Sequence, residues 1–301
     1  MTGCSSFLNW QLQISEEVQA LEDPCQSGWV GVGCYHDVRS DVTHITSVDL
    51  PRKQLSGPCS TALLALQALP HLSHLVLYGN LLSGTIPRLI LPRLKMLRLD
   101  RNLLSGPLPA LLLESAGSAL EYVDLSENHF SGAIPSSSVG SLVALQKLYL
   151  YDCSLTGTVP LEFGTLSTLH ELRLDSNQLE GRVPAFASRI VASLWAEDHP
   201  TELFVDTLSW QQQMLSIEYL DLHGNRLSGT LPSSFSTLTS LKELHLYSNR
   251  ITGSIPGQFS LLQSLKALRL DGNSIGGRVP PQLSQLKKLK YLGLGGKNMK
   301  F

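Results

Sequence analysis

The sequence lacks an excess of charge of either sign. Its 301 residues include 23 Lys and Arg against 25 Asp and Glu, which gives a net charge of −2. Nucleic-acid-binding domains usually carry a basic excess that neutralises phosphates, so this balance argues against nucleic acid as a partner. Hydrophobic residues make up 43% of the chain. That share is ample for a buried core and argues against disorder.

The sequence also lacks membrane-spanning and export signals. No run reaches the about 18 apolar residues that indicate a transmembrane helix, and residues 1–10 have neither the basic segment nor the apolar core of a signal peptide. We expect that a leader was either removed or never present. No Asn-x-Ser/Thr sequon occurs, because Asn273-Ser274-Ile275 fails at its third position. This absence lowers the expectation of secretion without excluding it.

Cysteine is scarce and odd in number. The chain contains five cysteines, at Cys4, Cys25, Cys34, Cys59 and Cys153. An odd count leaves at least one thiol unpaired or paired with a partner chain. The count alone therefore does not fix which cysteines form a disulfide.

What the sequence has in abundance is an internal repeat. The phrase L-x-x-L-x-L-x-x-N-x-L recurs from Leu72 onwards, with a weaker first copy at Ile45 and a last one at Leu289. We call its Asn position the Asn slot, and its occupants are Asn80, Asn102, Asn128, Cys153, Asn177, Asn225, Asn249 and Asn273. Successive slots are 22 to 26 residues apart, except for one step of 48. The chain is therefore a repeat protein in which one step is twice the usual length.

The double step allows two interpretations. A degenerate repeat at 191–196, with Trp195 on its strand and His199 in the Asn slot, would fill it. Alternatively, residues 197–216 form a loop or short helix inserted into the solenoid. We therefore predict a degenerate repeat or an insertion near residues 185–216.

The repeat pattern predicts an α/β repeat solenoid. The L-x-L core reads as a short strand with alternate side chains directed inward. Strands of successive repeats would stack into a parallel sheet, and the Asn amides would satisfy backbone groups at each turn. No repeat buries its own apolar face, so neighbours must stabilise each other. We predict an N-terminal cap over residues 1–44 and a solenoid of about 10 repeats over residues 45–301.

The end of each repeat resembles a known family. Phrases such as Leu82-Ser83-Gly84-Thr85-Ile86-Pro87 resemble the plant-specific leucine-rich repeat of receptor-like protein and kinase ectodomains and of polygalacturonase-inhibiting proteins. The resemblance implies a right-handed superhelix with a parallel concave β-sheet and a second strand at L-x-G-x-I-P. It also implies an N-terminal cap closed by a disulfide between Cys25 and Cys34. A second bridge between Cys4 and Cys59 would close the cap onto the first repeats, and Cys153 is expected to be a buried free thiol.

The candidate binding surface is the concave sheet. Side chains two and four residues before each Asn slot should face outward in columns. Aromatic and Arg side chains dominate protein interfaces. Packing within the chain does not account for aromatic side chains that are exposed on a rigid face, so such side chains indicate binding. The candidate binding residues are Arg98, Asp100, Tyr149, Tyr151, Arg173, Asp175, Trp195, His223, His245, Tyr247 and Arg269. For the repeated Arg-Leu-Asp phrases, the alternative is cross-strand salt bridging without a binding role.

Motifs for other chemistry are weak. Gly31-Val32-Gly33 lacks the third glycine and the strand-to-helix setting of a phosphate loop. The histidines show no metal-ligand spacing on one element. His223 and His245 lie on adjacent predicted strands, but a surface role is favoured over a zinc pair. We therefore expect no catalytic residues, no metal and no cofactor.

These observations favour a non-catalytic recognition module that binds a protein or peptide ligand. The alternative is a structural or accessory subunit of a stable multiprotein complex, because the missing sequons leave both flanks bare for packing. No direct membrane span is expected. The disulfide implied by the family resemblance favours an extracellular or secretory location, or the lumen of an oxidising organelle.

Overall fold

The computed structural model of the chain describes four ranges, 23–108, 119–186, 216–295 and 298–300. The chain forms two compact units, Met1–Leu155 and Thr156–Phe301. In both units each repeat contributes a short strand to a parallel sheet, followed by a turn at the Asn slot. The leucine-rich-repeat solenoid with a parallel sheet is thereby confirmed, while the number of repeats stays a prediction.

The parallel sheet of the first unit grows by one strand per repeat. Its strands, in spatial order, are β1 (Val32–Asp37), β2 (Val42–Asp49), β4 (His74–Val76), β6 (Met96–Arg98), β8 (Tyr122–Asp124) and β10 (Lys147–Tyr149). β1 runs antiparallel to β2, and the following pairs are parallel. The predicted boundary at residue 44 falls inside β2, because this strand serves both the cap and the first repeat.

A second sheet and short helices complete the first unit. The L-x-G phrases form β3 (Ser56–Pro58), β5 (Leu81–Gly84), β7 (Leu103–Pro107), β9 (His129–Ala133) and β11 (Ser154–Thr156). The glycine of this phrase has a positive φ, as at Gly106, where an added Cβ would lie 2.7 Å from Thr85 Cγ2. Helical turns connect the repeats at α1 (Cys59–Ala65), Leu66–Ala68 and α2 (Ser136–Val139).

The second unit repeats this plan. Its parallel strands are β12 (Glu171–Arg173), β13 (Tyr219–Asp221), β14 (Glu243–His245), β15 (Ala267–Arg269) and β17 (Tyr291–Gly293). β16 (Gly276–Arg278) pairs with β18 (Asn298–Lys300). Each connecting 3-10 turn begins directly after the proline that ends the preceding phrase, at Leu161–Thr165, Ser233–Thr237, Gly257–Leu261 and Pro281–Gln285. Proline suits a helical start because its missing N–H would have no partner there.

The double step in the repeat has a structural explanation. β12 pairs directly with β13, in parallel and in register, with Leu172 opposite Leu220. The ladder of Asn side chains continues across the same step, since Asn225 accepts from the backbone N–H of Leu179. A degenerate repeat that adds a strand between Asn177 and Asn225 is therefore wrong. Trp195, its predicted face residue, lies outside the described residues.

Leucines and Asn amides hold the repeats together. The central residue is buried in each three-residue strand of the parallel sheet except β17, as at Leu97, whereas Leu292 of β17 is 40% exposed. The Asn102 Nδ2 donates to the carbonyls of Leu77 and Leu99 at 3.0 Å, and its Oδ1 accepts from the Leu82 N–H at 3.0 Å. Similar amide bonds recur at Asn80, Asn128, Asn225, Asn249 and Asn273. Each amide thus links two successive coils, which positions the strands in register.

The cysteines agree with the expected pairing in part. Cys25 and Cys34 form a disulfide, as the resemblance implied. The proposed bridge from Cys59 to Cys4 is wrong, because the Cys59 thiol is free and buried and lies 3.3 Å from the Thr85 carbonyl. Cys4 lies outside the described residues. Cys153 is free and only partly buried, and burial raises the pKa of its thiol to about 11.

Candidate functional site

The outward side of the parallel strands forms the candidate surface, which we call the sheet face. The strand centres point into the core, so the flanking residues of each strand point outward. The sequence predicted two columns, four and two residues before the Asn slot. The structure adds a third column, six residues before the slot, because each strand begins there. Its members are His74, Met96, Tyr122, Lys147, Glu171, Tyr219, Glu243, Ala267 and Tyr291.

Apart from Trp195, which lies outside the described residues, the predicted residues lie on the sheet face, but their exposure differs from the expectation. The carboxylates are the deepest, with Asp100 and Asp175 each 2% exposed. The predicted Arg and aromatic side chains are half-buried above them, at Arg98, Tyr149, Tyr151, Arg173, His223, His245, Tyr247 and Arg269. The aromatics are therefore ordered by their neighbours rather than freely exposed.

The Arg-Leu-Asp phrases form ion pairs within one repeat, between the last residue of a strand and the aspartate two residues further on, and not across strands. Arg173 Nε and Nη2 each lie 3.1 Å from a carboxylate oxygen of Asp175. Arg98 and Asp100 pair in the same way at 3.2 and 3.4 Å. Residues two apart on a strand face the same side, which explains the geometry. These pairs largely cancel their own charge.

The sheet face of the first unit carries a tyrosine group. The Tyr122 and Tyr149 rings meet edge to face, with centroids 5.5 Å apart. The Tyr151 hydroxyl donates to Glu127 at 3.2 Å. The Arg98 guanidinium lies 4.2 Å from the Tyr78 ring centroid, which is cation–π geometry. The result is a fixed row of apolar ring surface with polar edges.

Asp124 lies beneath this row with its carboxylate buried. It accepts hydrogen bonds from the Ser126 hydroxyl at 2.5 Å and the Ser126 backbone N–H at 3.1 Å. Burial raises the pKa of Asp124 to about 6, although the bonds from Ser126 act in the opposite direction. Asp124 was not selected from the sequence, because nothing in the repeat pattern marks this position as more buried than its neighbours.

The second unit gathers Asp175, Asp221, His223 and His245, which we call the carboxylate–histidine cluster. His223 Nδ1 lies 2.7 Å from Asp221 Oδ1 and 3.8 Å from Asp175 Oδ2. His245 Nδ1 lies 3.3 Å from Asp221 Oδ2, which also accepts from the Tyr219 hydroxyl at 3.1 Å. Burial would raise the pKa of Asp221, but the hydrogen bonds from His223 and His245 outweigh it and hold the pKa below its ordinary value.

A stack of rings covers one side of this cluster. The His223 and Tyr247 rings are stacked, with centroids 4.1 Å apart. The Arg269 guanidinium lies 3.8 Å from the Tyr247 centroid. Tyr219 packs edge to face on His245 at 5.3 Å. Sequence reasoning missed Tyr219 and Tyr122, since it followed only two of the three columns.

Comparisons with known proteins agree with the leucine-rich-repeat fold. Family models described as leucine rich repeat match residues 216–275, 119–140 and 144–166. Receptor-like protein 39 of Arabidopsis thaliana is 34% identical over 147 residues, and the match covers 40% of this chain and 16% of that protein. Pollen receptor-like kinase 2 of the same plant is 30% identical over 120 residues, covering 40% of this chain and 14% of that protein.

A solved structure extends the similarity to nearly the whole chain. The Arabidopsis receptor kinase HAESA, in complex with the peptide hormone IDA and the co-receptor SERK1, matches with a TM-score of 0.58 and 27% identity. The match covers 98% of this chain and 53% of that one. This chain is a leucine-rich-repeat protein of the plant type. It spans about half of the HAESA chain and about a sixth of the curated relatives.

Among the described residues, no helix is both long and apolar enough to cross a membrane.

Proposed function

We propose that this chain is a non-catalytic recognition module that binds a protein or peptide ligand on its sheet face. The observation that carries the proposal is the set of ordered aromatic and Arg side chains above buried carboxylates, such as Tyr247 between His223 and Arg269. Aromatic and Arg side chains supply most of the binding energy at interfaces. HAESA, which shares the fold, is in complex with a peptide hormone and a co-receptor.

The fixed geometry of the sheet face supports this function. Side chains that are already held in stacks lose little further freedom when a ligand binds. The Arg98 and Arg173 charges are matched by their own aspartates, so charge attraction is not the main source of affinity. The sheet face therefore suits a ligand that offers apolar groups and backbone hydrogen-bonding groups.

A second candidate function is an accessory subunit of a stable complex. The observation that favours it lies on the second sheet of the first unit, where Leu81 on β5 and Leu103 on β7 are 50% and 45% exposed. Exposed leucines on adjacent strands are suited to contact with a partner. This function would place the partner on the second sheet, away from the sheet face.

The disulfide supports a location for either function. Disulfides persist in oxidising compartments, and Cys25–Cys34 closes the cap. We therefore propose that the protein acts outside the cell or in the lumen of an oxidising organelle.

The proposed function is tested by affinity capture with variants of the sheet face. The immobilised full chain is incubated with a native extract of its source, and the recovered proteins are quantified by mass spectrometry. We expect the Tyr149→Ala/Tyr247→Ala double variant to recover its main partner at least about tenfold less than wild type. Tyr35→Ala is the matched control, since Tyr35 is 58% exposed on the cap strand and lies outside the three columns.

The outcomes separate the two functions. A partner lost with the double variant and retained with Tyr35→Ala supports recognition on the sheet face. Loss with Leu81→Ser/Leu103→Ser, and not with the tyrosine variant, favours the accessory subunit instead. Equal recovery by all variants, or no enriched protein, contradicts a binding role for the sheet face.

A further inference from the structure

The direct pairing of β12 and β13 brings together ligand-type side chains that are far apart in sequence. Arg173 lies opposite Asp221 in the register, and Asp175 and His223 follow each of these by two residues. One atom from each of Asp175, Asp221 and His223 lies within 4.8 Å of the others. Among the residues that the structure describes, this is the one group of three His, Cys, Asp or Glu side chains with that geometry.

The charge at the cluster is unbalanced. Arg173 matches Asp175, which leaves Asp221 and Glu243 as negative charges. The ion-pair partners of Asp221 among the described residues are His223 and His245, and both imidazoles are neutral unless protonated. The Asp221 carboxylate is 2% exposed and accepts hydrogen bonds from His223 and Tyr219, so it is a fixed, buried oxygen donor. A divalent cation would balance Asp221 and Glu243 together.

We propose that the carboxylate–histidine cluster binds a divalent transition-metal ion of the zinc class. Imidazole and carboxylate donors together favour Zn²⁺ and its neighbours, whereas Ca²⁺ and Mg²⁺ prefer oxygen donors alone. The donor atoms are those of Asp175, Asp221 and His223, and a solvent molecule would complete the coordination.

The donor separations are close to those that a metal requires. Tetrahedral zinc with bonds of about 2.0–2.1 Å places its donor atoms about 3.3 Å apart. His223 Nδ1 and Asp175 Oδ2 are 3.8 Å apart, and one ligand atom of each of Asp175, Asp221 and His223 lies within 4.8 Å of the others. The pair at 2.7 Å, His223 Nδ1 and Asp221 Oδ1, opens when the metal takes the place of the shared proton.

Proton balance is satisfied by the second nitrogen of the His223 ring. A neutral imidazole carries one proton, so binding through Nδ1 moves that proton to Nε2. Glu243 Oε2 lies 3.4 Å from His245 Nε2, so a further carboxylate lies beside the histidine that contacts Asp221. Contrary to the expectation from the sequence, the sheet face thus holds the parts of a metal site.

The test measures Co²⁺ and Zn²⁺ binding to the full chain. Metal-free protein is titrated with Co²⁺ at pH 7.5 and followed by its visible absorption, and Zn²⁺ stoichiometry is measured by equilibrium dialysis. We expect one tightly bound ion in wild type, and binding at least about tenfold weaker in His223→Gln and Asp221→Asn, within the 10- to 100-fold range for the loss of metal-site contacts.

The control variant changes a histidine of a stacked pair in the first unit. His44 and His71 are stacked at 3.8 Å in the first unit, so His71→Gln removes a ring there and should leave the tight ion bound. Circular dichroism confirms folding of each variant, and Zn²⁺ protection of His223 from diethylpyrocarbonate gives a readout on wild type alone. Unchanged binding in both cluster variants, loss in His71→Gln, or no protection of His223 would overturn the proposal.

Discussion

At the scale of single residues, Asp124 is a carboxylate whose surroundings on the sheet face disfavour its charged form. Its side chain is 4% exposed beneath a row of tyrosines, and its hydrogen bonds come from Ser126. Burial disfavours the charged carboxylate more than these two bonds favour it, so its pKa rises to about 6. The repeat pattern could not reveal this, because depth depends on the rings contributed by neighbouring coils.

Asp124→Asn should stabilise the protein in a pH-dependent way. A folded-state pKa of about 6, above the ordinary 3.8, means that the folded state binds more protons, so stability falls as the pH rises from about 4 to 6. The neutral amide removes this loss. We expect a gain of about 1–3 kcal/mol at pH 7.5 and almost none at pH 4, measured by chemical denaturation.

Asp152→Asn is the matched control, since Asp152 is an exposed aspartate of the same unit. It should change stability little at either pH. A gain in Asp124→Asn that does not depend on pH would show that packing, rather than charge burial, causes the effect.

At the scale of elements, the junction between β12 and β13 decides which side chains meet. The register places Arg173 opposite Asp221, and this brings Asp175 beside His223. From the sequence, one of the two interpretations of the 48-residue step between Asn slots was an intervening strand, which would have kept these residues apart. Spacing alone cannot tell a degenerate repeat from an insertion, because both lengthen the chain equally.

Most of the strands, by contrast, could be predicted. The alternation around L-x-L indicates where each strand lies, and the Asn slot fixes its register, as Asn102 shows by bonding to two coils. The face residues Tyr149, Tyr247 and Arg269 followed from that register. The third column did not, because residues such as Tyr219 precede the clearest part of the motif and the strand start is set by pairing with the neighbour.

The cap depends on one covalent link. Cys25 and Cys34 are nine residues apart in sequence, and β1, which contains Cys34, pairs with β2 at the edge of the first sheet. Removing a disulfide that closes a loop of this length should cost about 2–3 kcal/mol. We expect Cys25→Ser/Cys34→Ser to unfold at lower guanidinium concentration than wild type.

Cys153→Ser is the control, because Cys153 is a free thiol. Its sensitivity to reducing agent should match that of wild type, whereas the double variant should be insensitive. If wild type unfolds at the same midpoint with and without reducing agent, the disulfide does not stabilise the cap.

At the scale of the whole molecule, the repeats provide a rigid support on which the face residues vary. Leucines and Asn amides recur with little change, while the three columns carry Tyr, His, Arg, Asp and Lys in no fixed order. We therefore assign the proposed function to those columns and not to the fold, because one fold can host many ligands. Residues of the three columns form both the proposed ligand site and the proposed metal site.

The central claim, that a protein or peptide partner binds the sheet face, is tested most directly by site-specific photo-crosslinking. A benzophenone amino acid replaces either Tyr247 on the sheet face or Thr252, an exposed residue that pairs with Thr230 in an isolated bridge outside the sheet face. The labelled chains are irradiated in a native extract. We predict one dominant crosslinked partner from position 247 and none from position 252. Equal crosslinking at both positions, or a partner from position 252 alone, would contradict the account.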